Sequence, residues 1–242
     1  NLREAETYLA EIKVNRETGS MPSSKNWRSI TYGNGLFVAI AYNDNMVAYS
    51  TNGVDWNRST LPDTTTWHAI TYGNGIFIAV SNGTNIAAYS VNGADWTHIT
   101  LPVSEYWQDI VYGNGKFVIL GNTDTAIAYS TDGVNWLIDT NLPTGWWRGI
   151  AFGGDKFVAI AEQGNTAAYS TDGINWTTTV LPASVNWYSV TYGNNKFVAI
   201  AYNSTTSAYS EDGINWTSGT IPNSSAWCDI AFGNGKFFAV FY

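Results

Sequence analysis

A tryptophan recurs at Trp27, Trp67, Trp107, Trp147, Trp187 and Trp227, forty residues apart each time. Five residues after each stands Tyr or Phe followed by Gly: Tyr32, Tyr72, Tyr112, Phe152, Tyr192 and Phe232. Five further on comes Phe37, Phe77, Phe117, Phe157, Phe197 or Phe237. A second series, Trp56, Trp96, Trp136, Trp176 and Trp216, keeps the same spacing, and Leu-Pro or Ile-Pro closes the units, as at Leu61-Pro62 and Ile221-Pro222. Such a period constrains the fold more than any other feature. Each copy is one supersecondary unit that buries its apolar face only against its neighbours.

One unit reads as four short strands, A to D. "WRSITY" alternates large and small residues and stops at "GNG", a tight-turn signal. "LFVAIAY" is a near-continuous apolar run, as expected of a strand buried on both faces. "MVAYS" is the third strand, "TNG" turns it, and "VDWNRST" is the fourth, after which proline is expected to break the ladder. Four antiparallel strands per forty residues, repeated around a ring, is the pattern of a β-propeller; the competing solenoid usually has shorter repeats.

The chain ends set the blade count. The terminal "KFFAVFY" is strand B of a sixth unit that lacks C and D. Forty residues back from the first unit, Met21-Pro22 falls on Leu61-Pro62, Val14 on Val54, and Thr7 to Ala10 on Val47 to Ser50. The expectation is one all-β domain over 1–242, a six-bladed β-propeller of four-stranded antiparallel blades. Residues 1–26 form a closing segment, the repeats run 27–66, 67–106, 107–146, 147–186 and 187–226, and a half repeat covers 227–242. The N-terminal strands C and D complete the sixth blade. A helix over 2–12 is the alternative, since Leu2, Ala5, Tyr8, Leu9 and Ile12 share one helical face.

The C–D turn "STDGINW" resembles the Asp-box, the S-x-D-x-G-x-x-W signature of sialidase-like propellers, with one residue fewer between Asp and Gly in every copy. The repeat style is also similar to repeats in phage or prophage tail proteins and bacterial surface proteins. In the Asp-box family the motif is a fold element remote from catalysis. The residues give the same reading. Asp132, Asp172 and Asp212 can accept backbone N–H groups within the turn, Asn52 and Asn92 can do the same without charge, and the following glycine supplies a positive φ.

Composition narrows the partners. The net charge is −8, and Lys and Arg are scattered, so no surface tracks phosphates and nucleic acid is not expected. No apolar run approaches the roughly 18 residues of a membrane span, so no membrane insertion is expected. Cys228 is the sole cysteine and only two histidines occur, so neither a disulfide within the chain nor a Cys- or His-rich metal site is expected, and no cofactor. Nucleophile elbow, phosphate loop and zinc-ligand spacing are absent. A sialidase needs three convergent arginines, but of Arg3, Arg16, Arg28, Arg58 and Arg148 no three share inner-strand positions. The chain is therefore expected not to be an enzyme, with no catalytic residues.

If repetition marks scaffold, variation between copies marks function. The D–A and B–C connections vary and share one face; the other face is uniform. The residue after each inner tryptophan also varies, as Arg28, His68, Gln108, Arg148, Tyr188 and Cys228, as does the next, Ser29, Ala69, Asp109, Gly149, Ser189 and Asp229. These positions are expected to ring the channel mouth, with Arg28 and Arg148 facing each other to hold a carboxylate or phosphate. Asp109 and Asp229 stand three units apart on inner strands, the arrangement a carboxylate-pair glycosidase uses. The candidate ligand-binding residues are Arg28, His68, Gln108, Trp146, Arg148 and Tyr188, Trp146 because it stands outside the register. The leading reading is a binding module for a glycan or cell-surface receptor, extracellular or on a virion surface, possible partners being other virion or surface proteins. A structural propeller of a particle and a glycoside hydrolase of unrecognised type are the alternatives.

Overall fold

The computed structural model describes residues 20–122 and 126–241, and every helix or strand element among them is a strand. The first repeat forms β1 (Trp27–Gly33), β2 (Leu36–Ala41), β3 (Met46–Ser50) and β4 (Asn57–Thr60) in antiparallel order β1-β2-β3-β4. Asn34 and Gly35 join β1 to β2 with φ of 50° and 74°. Two successive positive φ values are what a tight two-residue hairpin requires, and Asn and Gly tolerate them best. Val38, Ala39 and Ile40 of β2 are shielded on both faces, whereas β4 carries polar residues on the outer edge.

The same plan gives β11 (Trp147–Gly153), β12 (Lys156–Ala161), β13 (Thr166–Ser170) and β14 (Thr177–Val180), then β15 (Trp187–Gly193), β16 (Lys196–Ala201), β17 (Ser204–Ser210) and β18 (Thr217–Ser225). The second and third repeats differ. They form β5 (Trp67–Gly73), β6 (Ile76–Ser90), β7 (Thr97–Gly113), β8 (Lys116–Gly121), β9 (Ile127–Ser130) and β10 (Leu137–Asp139), joined as one six-stranded sheet. The chain finishes with the pair β19 (Trp227–Gly233) and β20 (Lys236–Phe241). The inner strands β1, β5, β7, β11, β15 and β19 touch in that succession, which is the plan of a propeller.

Six separate four-stranded sheets therefore do not form. Four sheets have four or more strands, and β19–β20 is a two-stranded pair. The merger has a local cause. Asn82 pairs with Tyr106 and Thr84 with Glu105, so a B–C loop and a D–A connection zip together, and β7 runs on into the next inner strand, whereas in the fifth repeat the Ser204–Ser225 pairing stops short of β19. Pro102 lies inside β7 rather than ending a strand. It falls in the stretch where the ladder is out of register between Thr100 and Glu105, so its missing N–H costs no rung. The straightening has a consequence. Trp27, Trp67, Trp147, Trp187 and Trp227 each donate Nε1–H to a carbonyl four residues back, while buried Trp107 Nε1 has no acceptor. The closing hairpin expected at 7–20 lies, apart from Ser20, outside the described residues, as does the alternative helix over 2–12.

Successive blades meet through an aromatic ring laid on a glycine. A Cβ added to Gly33, Gly73, Gly113, Gly153 or Gly193 would stand 1.9 to 2.1 Å from the ring of Tyr72, Tyr112, Phe152, Tyr192 or Phe232. The ring occupies the space where any side chain would go, which is why glycine follows each aromatic. That aromatic also tilts against the next Phe, as Phe152 does on Phe157 at 4.6 Å between centroids. Trp67, Trp107, Trp147 and Trp187 are fully buried, each in the cluster formed between its own blade and the one before.

Each C–D turn is held by a small polar network. Ser170 Oγ donates to Asp172 Oδ1 at 2.9 Å and accepts from Gly173 N at 2.9 Å. Asp172 Oδ1 accepts from Ile174 N and Asn175 N, and Asn175 Nδ2 donates to Asp172 Oδ2 at 2.7 Å. Burial alone would push the Asp172 carboxyl up, but the donors from Asn175, Ile174 and Ser170 together hold it well below the usual carboxylate range. Asn52 and Asn92 do not dispense with charge, as the sequence implied. In their turns the acid moves three residues on, and Asn52 Nδ2 donates to Asp55 Oδ2 at 2.8 Å, as Asn92 does to Asp95. Every turn thus keeps one Asp and one Asn in exchanged order. Asp172→Asn should cost about 1 kcal/mol, and adding Asn175→Asp should restore it. Chemical denaturation of the two variants checks this.

Candidate functional site

The inner strands carry the same irregularity at the same place. In β1 the register steps from Trp27 opposite Ala41 to Ser29 opposite Ile40, skipping Arg28. The step recurs after Trp67, Trp107, Trp147, Trp187 and Trp227. A bulge frees one residue from the pleat and re-aims its side chain. The six residues so released are Arg28, His68, Gln108, Arg148, Tyr188 and Cys228, and all six line one cavity of about 450 Å³. The bulge lies at the end of the inner strand next to the D–A connection. Tyr42 N donates to Asn26 O and Leu61 N to Asn45 O, so B–C loops and D–A connections are tied together at this end.

Five of the bulged residues form a continuous belt, each of the first four engaging the residue forty positions on. Arg28 Nη2 lies 2.8 Å from His68 Nε2, and His68 Nδ1 lies 2.8 Å from the Gln108 carbonyl oxygen. A guanidinium only donates, so Nε2 accepts and Nδ1–H donates. Burial, and then the charge of Arg28, push the His68 imidazole down to about 3, so it is neutral in ordinary buffers. Arg148 Nη1 donates to Gln108 Oε1 at 2.8 Å, and its guanidinium lies 4.0 Å from the centre of the Tyr188 ring. Tyr188 in turn stacks on Tyr202 at 5.4 Å. Arg28 and Arg148 are therefore each engaged by a neighbour one unit away, and both line the one cavity.

The next positions do different work. Asp109 Oδ1 accepts from Ile110 N at 2.8 Å, and Oδ2 accepts from Ile150 N of the following blade at 3.0 Å. Asp229 Oδ1 accepts from Ser189 Oγ and from Ile230 N. Ser29 Oγ accepts from Ile70 N at 3.4 Å. These side chains pin backbone amides where the bulges leave the ladder incomplete. Asp109 is enclosed by protein while keeping an opening on the channel. Burial is the main reason its carboxyl is pushed up to about 7, and Asp229 adds to it. Burial likewise raises Asp229. Asp109 has both oxygens on backbone N–H donors, whereas the bonds to Asp229 fall on Oδ1.

Trp146 is 60% exposed and does not line the cavity; it sits on the loop face, where its carbonyl accepts from Glu162 N. The sequence reading missed Tyr202, the first residue of a B–C loop, and placed Cys228 at the channel mouth without counting it among the ligand-binding candidates. No spacing signal marks the stack of Tyr202 on Tyr188. Among the described residues no group of three or more His, Cys, Asp or Glu gathers as a metal site.

No family model matches the chain, and no curated protein matches it. Solved structures do resemble it. Virginiamycin B lyase from Staphylococcus aureus superposes with a TM-score of 0.80 at 16% identity, over 91% of this chain and 79% of that one. YCF48 bound to a D1 peptide gives 0.70 at 16%, over 91% and 76%. A streptogramin B lyase gives 0.70 at 13%, over 92% of each chain. The expectation that the chain is not an enzyme is corrected by this finding, because lyases are built on the shape it adopts. At these identities the likeness is one of fold, and that fold is a β-propeller.

Proposed function

We propose that the chain recognises an acidic ligand at the channel mouth, a carboxylate-bearing sugar of a surface glycan or receptor, from an extracellular or virion-surface position. The observation that carries this is Arg148. Its guanidinium is oriented by Gln108 on one side and Tyr188 on the other, in a cavity that also holds Arg28. A pre-oriented guanidinium loses little freedom when it binds a carboxylate in a bidentate pair. Below about pH 7 the raised carboxyl of Asp109 holds its proton, which lowers repulsion of an anion. Exposed Trp146 and Tyr106 on the same loop end supply apolar faces for neighbouring sugar rings. The resemblance of the repeat style to that of phage tail and bacterial surface proteins is the ground for the cell-surface setting.

The test is a glycan array of matched acidic and neutral sugars. The protein should retain acidic members, and Arg148→Met should weaken them roughly 30- to 100-fold with an unchanged melting temperature. Equal retention of neutral analogues, or an unaffected Arg148→Met variant, contradicts the reading.

A second reading is eliminative cleavage, favoured by Arg28 and Arg148 lining one cavity in a fold that lyases use. A base would take the proton next to a carboxylate, the C–H electron pair would form a double bond, and the C–O bond to the leaving group would break. New ultraviolet absorbance from a conjugated product, lost in Arg148→Met, is its signature.

A further inference from the structure

The residue before each inner tryptophan is Asn26, Thr66, Tyr106, Trp146, Asn186 or Ala226, so aromatic rings fall on two successive copies of this position. Tyr106 is 56% exposed and Trp146 60%. One residue ties them together. Asn122 N donates to the Tyr106 carbonyl at 2.9 Å and Asn122 Nδ2 to the Trp147 carbonyl at 3.1 Å, which braces two neighbouring inner strands against each other. Glu162 N donates to the Trp146 carbonyl at 2.7 Å. A Cβ at Gly83 would lie 3.6 Å from Tyr106 Cε1, so a loop glycine backs the ring on one side and leaves the rest of it to solvent. In the preceding unit Thr66 stands at this position, and its hydroxyl is bonded to Asn43. Tyr106 and Trp146 are thus aromatic faces on a braced backbone, which loses little freedom when a ligand lies on them.

Their placement gives a ligand at the mouth a direction. Tyr106 and Trp146 stand two residues before Gln108 and Arg148, about 7 Å along the strand, and those two are bonded to each other in the cavity at 2.8 Å. Neither aromatic lines the cavity, so they form a ledge outside its rim. The other four positions of the series carry polar or small side chains. A chain held by its middle would leave the mouth on two sides, one of them without a ring to rest on. A chain held by its end leaves once, over the ledge. Charge separates the two places as well. In the second to fourth repeats the cationic residues are Lys116, Arg148 and Lys156, and the lysines open β8 and β12 at the hairpin end of the blades. Beside the ledge stand carboxylates: Glu105 Oε1 accepts from Tyr106 N at 2.7 Å, and Glu162 follows on the next blade. An acidic group is favoured in the mouth and disfavoured on the ledge.

We propose that Tyr106 and Trp146 form a subsite for uncharged sugar residues, so that the ligand is one acidic sugar at the end of a neutral chain and not a polyanion. This rests on the acidic-sugar reading of the channel mouth and adds what lies next to the acid. The C–H faces of the neutral sugars lie on the two rings, and their hydroxyls stay in water. A second acidic sugar on the ledge would meet the charge of Glu105 and gain no cation.

The test is calorimetric titration of the full chain with glucuronic acid, galacturonic acid and N-acetylneuraminic acid, each in three forms: the methyl glycoside, the acid capping lactose, and the acidic homotrimer. For the acid that binds, the capped lactose should bind roughly 10-fold tighter than the methyl glycoside, and the homotrimer no tighter than the methyl glycoside. Threonine is the residue that stands before Trp67, so Tyr106→Thr and Trp146→Thr suit the fold. The readout is the ratio of the capped-lactose and methyl-glycoside affinities within each protein, and each substitution should remove most of the 10-fold gain. No binding by any of these probes would overturn the acidic-sugar reading and this inference with it. A methyl glycoside that binds while lactose adds nothing would overturn the subsite alone. So would a homotrimer that binds tighter than the capped lactose, or a gain that survives both substitutions.

Discussion

Gly113→Ala should lose about 3–5 kcal/mol of stability, a fall in melting temperature of roughly 10 °C. The added methyl would lie 2.0 Å from Phe152 Cγ, and the ring has nowhere to retreat because Phe157 packs behind it at 4.6 Å. Backbone strain is no part of the cost, since Gly113 does not have a positive φ. Gly115→Ala in the same hairpin is the matched control. Gly115 has a φ of 74° and open space around its Cα, so alanine there should cost only about 1 kcal/mol. Thermal unfolding of the two variants separates a joint between blades from a turn requirement. Equal losses would mean that the ring does not seat on Gly113.

Asp109→Asn should remove a pH dependence of stability that the parent protein shows between about pH 4 and pH 7. The folded carboxyl is pushed up to about 7, chiefly by burial. Below the ordinary carboxylate pKa both states hold the proton, and the site costs nothing. As pH rises, the unfolded chain ionises first while the folded chain keeps its proton, so stability falls. The fall is complete once pH passes the folded value. A shift of about 3 pKa units corresponds to roughly 4 kcal/mol at most, and the opening onto the channel reduces this to about 2–3 kcal/mol. Asparagine cannot ionise, and it accepts one of the two amides now bonded to Asp109 while crowding the other, a constant penalty of about 1 kcal/mol. The informative quantity is therefore the slope. Denaturant midpoints at half-unit pH steps should fall steeply in the parent and much less in the variant, Asp229 accounting for the remainder. Parallel profiles would contradict the assignment.

The sequence already showed the phase of the repeat, the hairpin turns and the loop face, because those are set by short-range rules. Asn-Gly after an inner strand tolerates the two positive φ values of a tight hairpin, as at Asn34-Gly35, and a tryptophan every forty residues can be buried only by stacking like units. The glycine after each aromatic was visible, but its reason was not, since the ring that covers Gly113 belongs to the next repeat. The belt shows the same divide. Arg28, His68, Gln108, Arg148 and Tyr188 could be picked out as the variable position. That they link to one another around the ring, and that Arg148 rests on Tyr188, depends on the bulge and on spacing between blades. The merger of the second and third repeats was hidden for a different reason. Pro102 argues for a break, and only the match of Asn82 with Tyr106 and of Thr84 with Glu105 shows why the strand continues. Asp109 looked like half of a catalytic pair because its use, fastening Ile150 N of the neighbouring blade, involves a residue forty-one positions away.

A titration followed by nuclear magnetic resonance at pH 6 reaches the proposed ligand site most directly. With an acidic monosaccharide, the side-chain N–H signals of Arg148 and Arg28 and the ring signals of His68 should move together in a saturable way, and the matched neutral sugar should leave them still. Shifts confined to the C–D turns, or an arginine pair that ignores the acid at saturating concentration, would show that the channel mouth is not where this protein meets its ligand.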